Sequence, residues 1–146
     1  MKKDAYNLEE SLGYIVGRTG RSMAHRLNQN FEKGGQNVTC EQWSILHNLW
    51  IQNGQNQKDL AALTCKDKTN ITRLIHGLEK RKLVVRIPGK DDGRQKLIYL
   101  TKKGKDLQQG LLFLVQKTLN EAQDGIKAED LKVCKEVLRK VAQNLS

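Results

Sequence analysis

Apolar residues recur along most of this chain at steps of three and four, the period of an amphipathic helix. Leu8, Leu12, Ile15, Met23, Leu27 and Phe31 keep that step, with Thr19 filling the gap, and Gly34-Gly35 closes the long helix they predict. Thr39 is placed to cap a second helix, with Gln42 three residues on at capping-box spacing. Trp43, Leu46, Leu49 and Trp50 share the apolar face of that helix, and Asn53-Gly54 ends it. Asn56 opens a short helix through Leu60, Ala61 and Leu63. Asp67 or a neighbour caps the next, whose inner face is Ile71, Leu74, Ile75 and Leu78.

Past Lys82 the period shortens. Leu83-Val84-Val85-Arg86-Ile87 is β-branched and strand-like until Pro88-Gly89 interrupts it, and Lys96-Leu97-Ile98-Tyr99-Leu100 is a second strand. The polar, glycine-containing stretch Lys90–Gln95 between them predicts a hairpin tip. Thr101 then caps a helix carrying Leu107, Leu111, Leu114, Val115, Leu119 and Ala122. After Gly125 a last helix carries Leu131, Cys134, Leu138, Val141 and Leu145. The pattern predicts a mainly α fold with a small β-hairpin wing (α+β): a helix-turn-helix over 56–80, a wing over 83–100, and flanking helices over 1–34 and 104–146. These flanking helices hold more apolar surface than a small wing domain can cover, so a second copy of the chain is the expected partner for them, which makes them dimerisation helices.

With 146 residues, 38 % of them hydrophobic and 29 % charged, the chain is long enough to bury one core without staples. No apolar run approaches the ~18 residues of a membrane span. Met1-Lys2-Lys3-Asp4 leads straight into an amphipathic pattern without the apolar stretch of a signal peptide, so no membrane association and a cytoplasmic address are expected. Cys40, Cys65 and Cys134 are odd in number and form no CxxC pair, which argues against a disulfide framework or a structural zinc site. They read as small apolar residues. Cys65, beside Lys66, has a redox-sensitive reading as the alternative. Neither metal nor cofactor is expected.

Charge changes the picture more than composition does. Between Lys66 and Lys105 stand thirteen lysines and arginines against four carboxylates, which accounts for nine of the ten net positive charges of the whole chain. Charge concentrated in this way is an electrostatic footprint for a polyanion. With Ile71, Leu74, Ile75 and Leu78 turned inward, helical geometry turns Thr69, Thr72, Arg73 and His76 outward. Thr69, Asn70 and Thr72 are short enough to approach base edges or phosphates, and Arg73 can engage a guanine or a phosphate bidentately. Lys66 and Lys68 flank the helix N-terminus, where backbone N–H groups already favour anions. A merely solvated helix face is the bland alternative. Arg86, Lys90, Arg94 and Lys96 extend the basic surface over the wing, and Arg94 near its tip suits the negative potential of a minor groove. Asp92 either holds Arg94 in one rotamer or is a turn-favouring aspartate, and chemistry alone leaves both readings open.

Taken together, Leu60-Ala61, Thr69-Asn70-Ile71-Thr72-Arg73-Leu74-Ile75, Leu78-Glu79-Lys80-Arg81, Asp92-Gly93-Arg94 and Leu100-Thr101-Lys102-Lys103-Gly104 resemble the MarR family of bacterial winged helix-turn-helix transcription regulators. The Asp-x-Arg wing followed by Leu-Thr-x-x-Gly is the most specific part, and the order of elements matches from about Leu8 to Leu145. The resemblance implies double-stranded DNA as partner, an obligate homodimer built from N- and C-terminal helices, and a pseudo-palindromic operator. It implies that the helix from Asp67 lies in the major groove, that Arg94 enters the minor groove, and that Asp92 orients Arg94. One departure stands out: the family often has glycine before the first wing strand, where this chain has Lys82. If that position needs a positive φ, Lys82 is modestly strained.

The resemblance also implies release of DNA by a small aromatic or phenolic effector bound between the dimerisation helices and the winged helix. Tyr14, Arg18, Arg21, His25, Trp43, His47 and Trp50 are the candidates near the contact of the first and second helices, although Trp43 and Trp50 also read as core residues. Some relatives sense peroxide through a cysteine in the first helix; no cysteine precedes Cys40 here, so that mechanism is not carried over. The leading expectation is a sequence-specific repressor and not an enzyme. The competing readings are a nonspecific architectural DNA-binding protein and, from another class, a cysteine-based redox enzyme, for which no Cys–His spacing or phosphate loop is found.

Overall fold

Caps decide where the helices of this protein begin. In the computed structural model, which describes residues 5–64, 68–90 and 94–146, helix α1 spans Leu12–Lys33 and α2 spans Cys40–Ile51. Thr39 and Gln42 form the full capping box expected of them, each side chain taking the other's backbone N–H. Strand β1 is only Gln55–Asn56, followed by α3 (Gln57–Thr64) and α4 (Lys68–Lys80). Asn56 caps α3 through the backbone N–H of Asp59 at 2.8 Å. The wing strands are β2 (Val84–Pro88) and β3 (Lys96–Leu100), and the C-terminal part is α5 (Lys102–Asp106), α6 (Gln108–Ala122) and α7 (Ala128–Leu145).

Four expectations needed correction. The first helix does not start at Leu8: Leu8–Glu10 is a single 3-10 turn, and extended Ser11 separates it from α1. The wing is part of a three-stranded antiparallel sheet of order β1-β3-β2, because Gln55 and Asn56 pair with Ile98 and Leu97. The first wing strand sits one residue later than expected. Pro88, expected to interrupt it, is its last residue, and the ladder tolerates it at that terminal, edge position. Finally, the helix capped by Thr101 is two helices, with the backbone at Leu107 joining α5 to α6. The apolar period runs unbroken through Leu107 and conceals the joint.

The core fills the space between α2, α3, α4 and the sheet. Phe31, Ile45, Leu46, Leu49, Leu60, Ile71, Ile75, Leu78, Val84, Ile98 and Leu111 are its fully buried members. Trp50 packs against this core and donates its indole N–H to the Gly104 carbonyl at 3.1 Å. Helix α1 is fixed to α6 by a polar clamp in which the Asn30 amide donates to Thr118 at 2.8 Å and to Glu121 at 2.7 Å, with Arg26 pairing Glu121 at 3.1 Å.

Lys82 confirms the strain that its replacement of glycine implied. Its φ is +62°, and among the described residues it is the non-glycine position with positive φ. The N–H of Lys82 reaches the Glu79 carbonyl at 2.9 Å and that of Leu83 reaches Leu78 at 3.0 Å, a Schellman ending of α4 that turns the chain into β2. No helix among the described residues is long and apolar enough to cross a membrane.

Candidate nucleic-acid interface

The α3–α4 pair and the wing converge on one side of the molecule. On α4, Ile71, Leu74, Ile75 and Leu78 are buried, and Thr69, Thr72, Arg73 and His76 are exposed, as the helical period requires. The outward face is therefore held rigidly by the inward one. Asn70 sits at the border, half-buried: its amide donates to Glu41 on α2 at 3.4 Å and its oxygen accepts from the Arg73 guanidinium at 2.6 Å. Arg73 is thus steadied at the surface by a residue that sequence reasoning placed beside it as an equal.

The wing contributes Lys90, Arg94 and Lys96, all exposed. Arg86 differs from them. Only a quarter of its side chain is exposed; its Nε lies 3.4 Å from Glu79 Oε1 and its Nη1 3.5 Å from Gln57 Oε1, so it lies in the seam between wing and helices. Gln57 in turn donates to the Thr72 hydroxyl. A cleft of about 300 Å³ opens beside these groups, lined among others by Gln57, Lys58, Arg86, Arg94 and Lys96. Gln57 and Lys58 were absent from the expected site; they lie next to the Asn56 cap, and only the fold brings them to the wing. Lys66, Cys65, Asp67 and Asp92 lie outside the described residues, and of Lys68 only the backbone, opening α4, is described.

The effector candidates divide into two groups. Tyr14 accepts a 3.4 Å hydrogen bond from Arg18 on the outer part of α1, while Arg21 and His25 are exposed further along that helix. On α2, Trp43 and His47 stack with ring centroids 5.3 Å apart. Helix α1 approaches α2 near Asn28, whose side chain accepts from the Cys40 N–H, and Arg18 lies about 15 Å along the α1 axis from that point. Both Trp43 Nε1 and His47 Nδ1 are buried without a hydrogen-bond partner. No cluster of three or more histidine, cysteine, aspartate or glutamate side chains suited to a metal occurs among the described residues.

Residues 38–96, which run from the start of α2 through α3, α4 and β2 to the first residue of β3, match the family model described as the MarR family. Over those residues the chain is similar to the MarR family. A relative, the HTH-type transcriptional regulator FarR of Neisseria gonorrhoeae, is 29 % identical over 108 residues, 73 % of each chain. A MarR-family transcriptional regulator from Rhodococcus sp. RHA1 superposes with a TM-score of 0.82 at 26 % identity, over 94 % of this chain and 96 % of the other. CouR from Rhodococcus jostii RHA1, bound to p-coumaroyl-CoA, does so with a TM-score of 0.79 at 26 % identity and the same coverage. The chain is thus similar to MarR-family transcriptional regulators in its matched segment and in its fold.

Proposed function

We propose that this chain is a MarR-family, effector-responsive repressor that binds a pseudo-palindromic operator as a homodimer, with α4 in the major groove and Arg94 in the minor groove. The observation that carries the reading is the exposed row Thr69, Thr72, Arg73 and His76 on a helix whose opposite face is locked into the core, beside a wing bearing Lys90, Arg94 and Lys96. In this arrangement Thr69, Thr72, Arg73 and His76 meet the bases or their phosphates, Asn70 holds Arg73, and Lys58, Lys90 and Lys96 take backbone phosphates. Lys66 and Lys68 add charge at the start of α4, and Asp92 orients Arg94.

The homodimer is supported by what one chain leaves uncovered. Helix α7 buries none of its residues, and Leu12, Ile15 and Val16 on α1 and Phe113 on α6 (71 % exposed) are open to solvent. A second copy related by a two-fold axis covers such faces and sets two α4 helices against half-sites about 34 Å apart. The effector is supported by the Trp43–His47 stack with its two unpaired buried N–H or N groups, which suit an aromatic ligand bearing polar substituents. Tyr14, Arg18, Arg21 and His25 join this site from the partner's α1 in the proposed dimer. The cytoplasm is the expected place of action.

Selection of duplexes from a random pool, followed by affinity measurements across salt, tests the reading. A preferred duplex bound far more tightly than random DNA at equal salt is expected. Equal affinities with equal salt slopes would replace the repressor by a nonspecific architectural protein.

A further inference from the structure

The seam between the wing and α4 contains a closed polar circuit that the DNA contacts themselves do not require. Gln57, the first residue of α3, donates through Nε2 to Thr72 on the outward face of α4 and accepts at Oε1 from Arg86 on β2, 3.5 Å away. Arg86 returns to α4 through Glu79, 3.4 Å from its Nε. Thr72 and Glu79 are seven residues apart, two turns along one side of the same helix. The circuit thus joins three elements and grips α4 at two heights. Arg86 is three-quarters covered, which makes its links to Gln57 and Glu79 less screened than those of a surface ion pair.

From this geometry we infer that Gln57 is a positioning residue for DNA readout, coupling the wing to the reading face of α4 through Arg86 and Thr72. The inference rests on the reading that α4 and Arg94 contact DNA. Gln57 has one amide with a donor end and an acceptor end, and both are committed, to different elements. A shift of β2 moves Arg86, Arg86 draws on the amide oxygen, and the amide nitrogen moves with it against Thr72. Arg94 lines the same cleft as Gln57 and Arg86, so seating the wing on DNA fixes one end of the circuit. The two grooves are then read cooperatively.

The test is a double-mutant cycle with the full chain and the duplex that the wild-type protein selects from a random pool. Arg94→Ala is compared in the wild-type and Gln57→Met backgrounds, with binding to random-sequence DNA and the salt slope measured alongside. Loss of Arg94 is expected to cost about three- to tenfold less in the Gln57→Met background than in the wild type, the size of coupling found between groups sharing one network. Gln57→Met is also expected to lower the ratio of selected to random affinity without changing the salt slope, an effect that general loosening of the fold does not give. Gln57→Leu removes both the donor toward Thr72 and the acceptor toward Arg86 with a different apolar shape, so it serves if the methionine variant fails to fold, and the same loss of coupling is expected. Strictly multiplicative losses with an unchanged specificity ratio would overturn the role of Gln57 while leaving the regulator intact. No preference for any duplex by the wild type would overturn both.

Discussion

Arg73 and Glu121 show how neighbours decide the behaviour of a charged side chain. Arg73 is exposed, yet the 2.6 Å bond to Asn70 limits its rotamers before DNA arrives, which lowers the entropy lost on binding. If it reads a base, Arg73→Ala lowers affinity by about 1–3 kcal/mol for the preferred duplex and much less for random DNA, as titrations of both will show. A uniform loss with a shallower salt slope would make it a phosphate anchor. Glu121 belongs to the clamp between α1 and α6. The hydrogen bond from Asn30 holds its carboxyl below the ordinary 4.5, helped by Lys117 and Arg26. A carboxylate lowered in the folded state contributes stability that is full above its unfolded value and lost as pH falls through the folded one. Unfolding midpoints are therefore expected to drop more steeply below about pH 4.5 in the wild type than in Glu121→Gln.

Two backbone positions govern how the elements meet. Lys82 ends α4 in the left-handed region at φ +62°, where an L side chain is held at a cost of roughly 1 kcal/mol. Lys82→Gly is expected to raise stability in urea by about 0.5–1 kcal/mol, net of the extra freedom glycine gains when unfolded. Gly104 is the opposite case. A Cβ there would stand 2.2 Å from the Leu83 carbonyl oxygen, which already accepts the Thr101 N–H at 3.0 Å. Gly104→Ala has to push the wing base from α5, and a loss of about 2 kcal/mol or more is expected in the same assay. These two sites also mark what the sequence could disclose. The capping pairs Thr39–Gln42, Asn56–Asp59 and Thr101–Gly104 are local, so spacing alone located those helix starts. The resemblance pointed to Lys82. Strand β1 is two residues long and has no period to detect, and the joint at Leu107 interrupts the backbone without interrupting the apolar pattern. The contacts of Gln57 with Thr72 and Arg86 could not be read from spacing, because the partners stand 15 and 29 residues away.

At the scale of the whole molecule, a core centred on α2, α3, α4 and the sheet carries an α7 with no buried residue. A helix of this length gains little from propensity alone in water, so its apolar face needs a partner to hold it. Leu138→Glu is expected to halve the mass measured by light scattering and to weaken operator binding steeply, since a lone half-site loses the linkage between two heads. Retention of a dimer would move the interface away from α7.

The smallest strand has a protective effect. A free hairpin would offer the outer rim of β3 to any passing chain, a liability on a surface that has to stay open. Here β1 pairs with Leu97 and Ile98, the Gly54 N–H occupies the Ile98 carbonyl at 3.0 Å, and the Asn53 side chain takes the Leu100 N–H at 2.9 Å. On the other rim β2 ends in proline, which offers no donor. The wing can therefore extend into solvent without acting as a template for edge-to-edge aggregation.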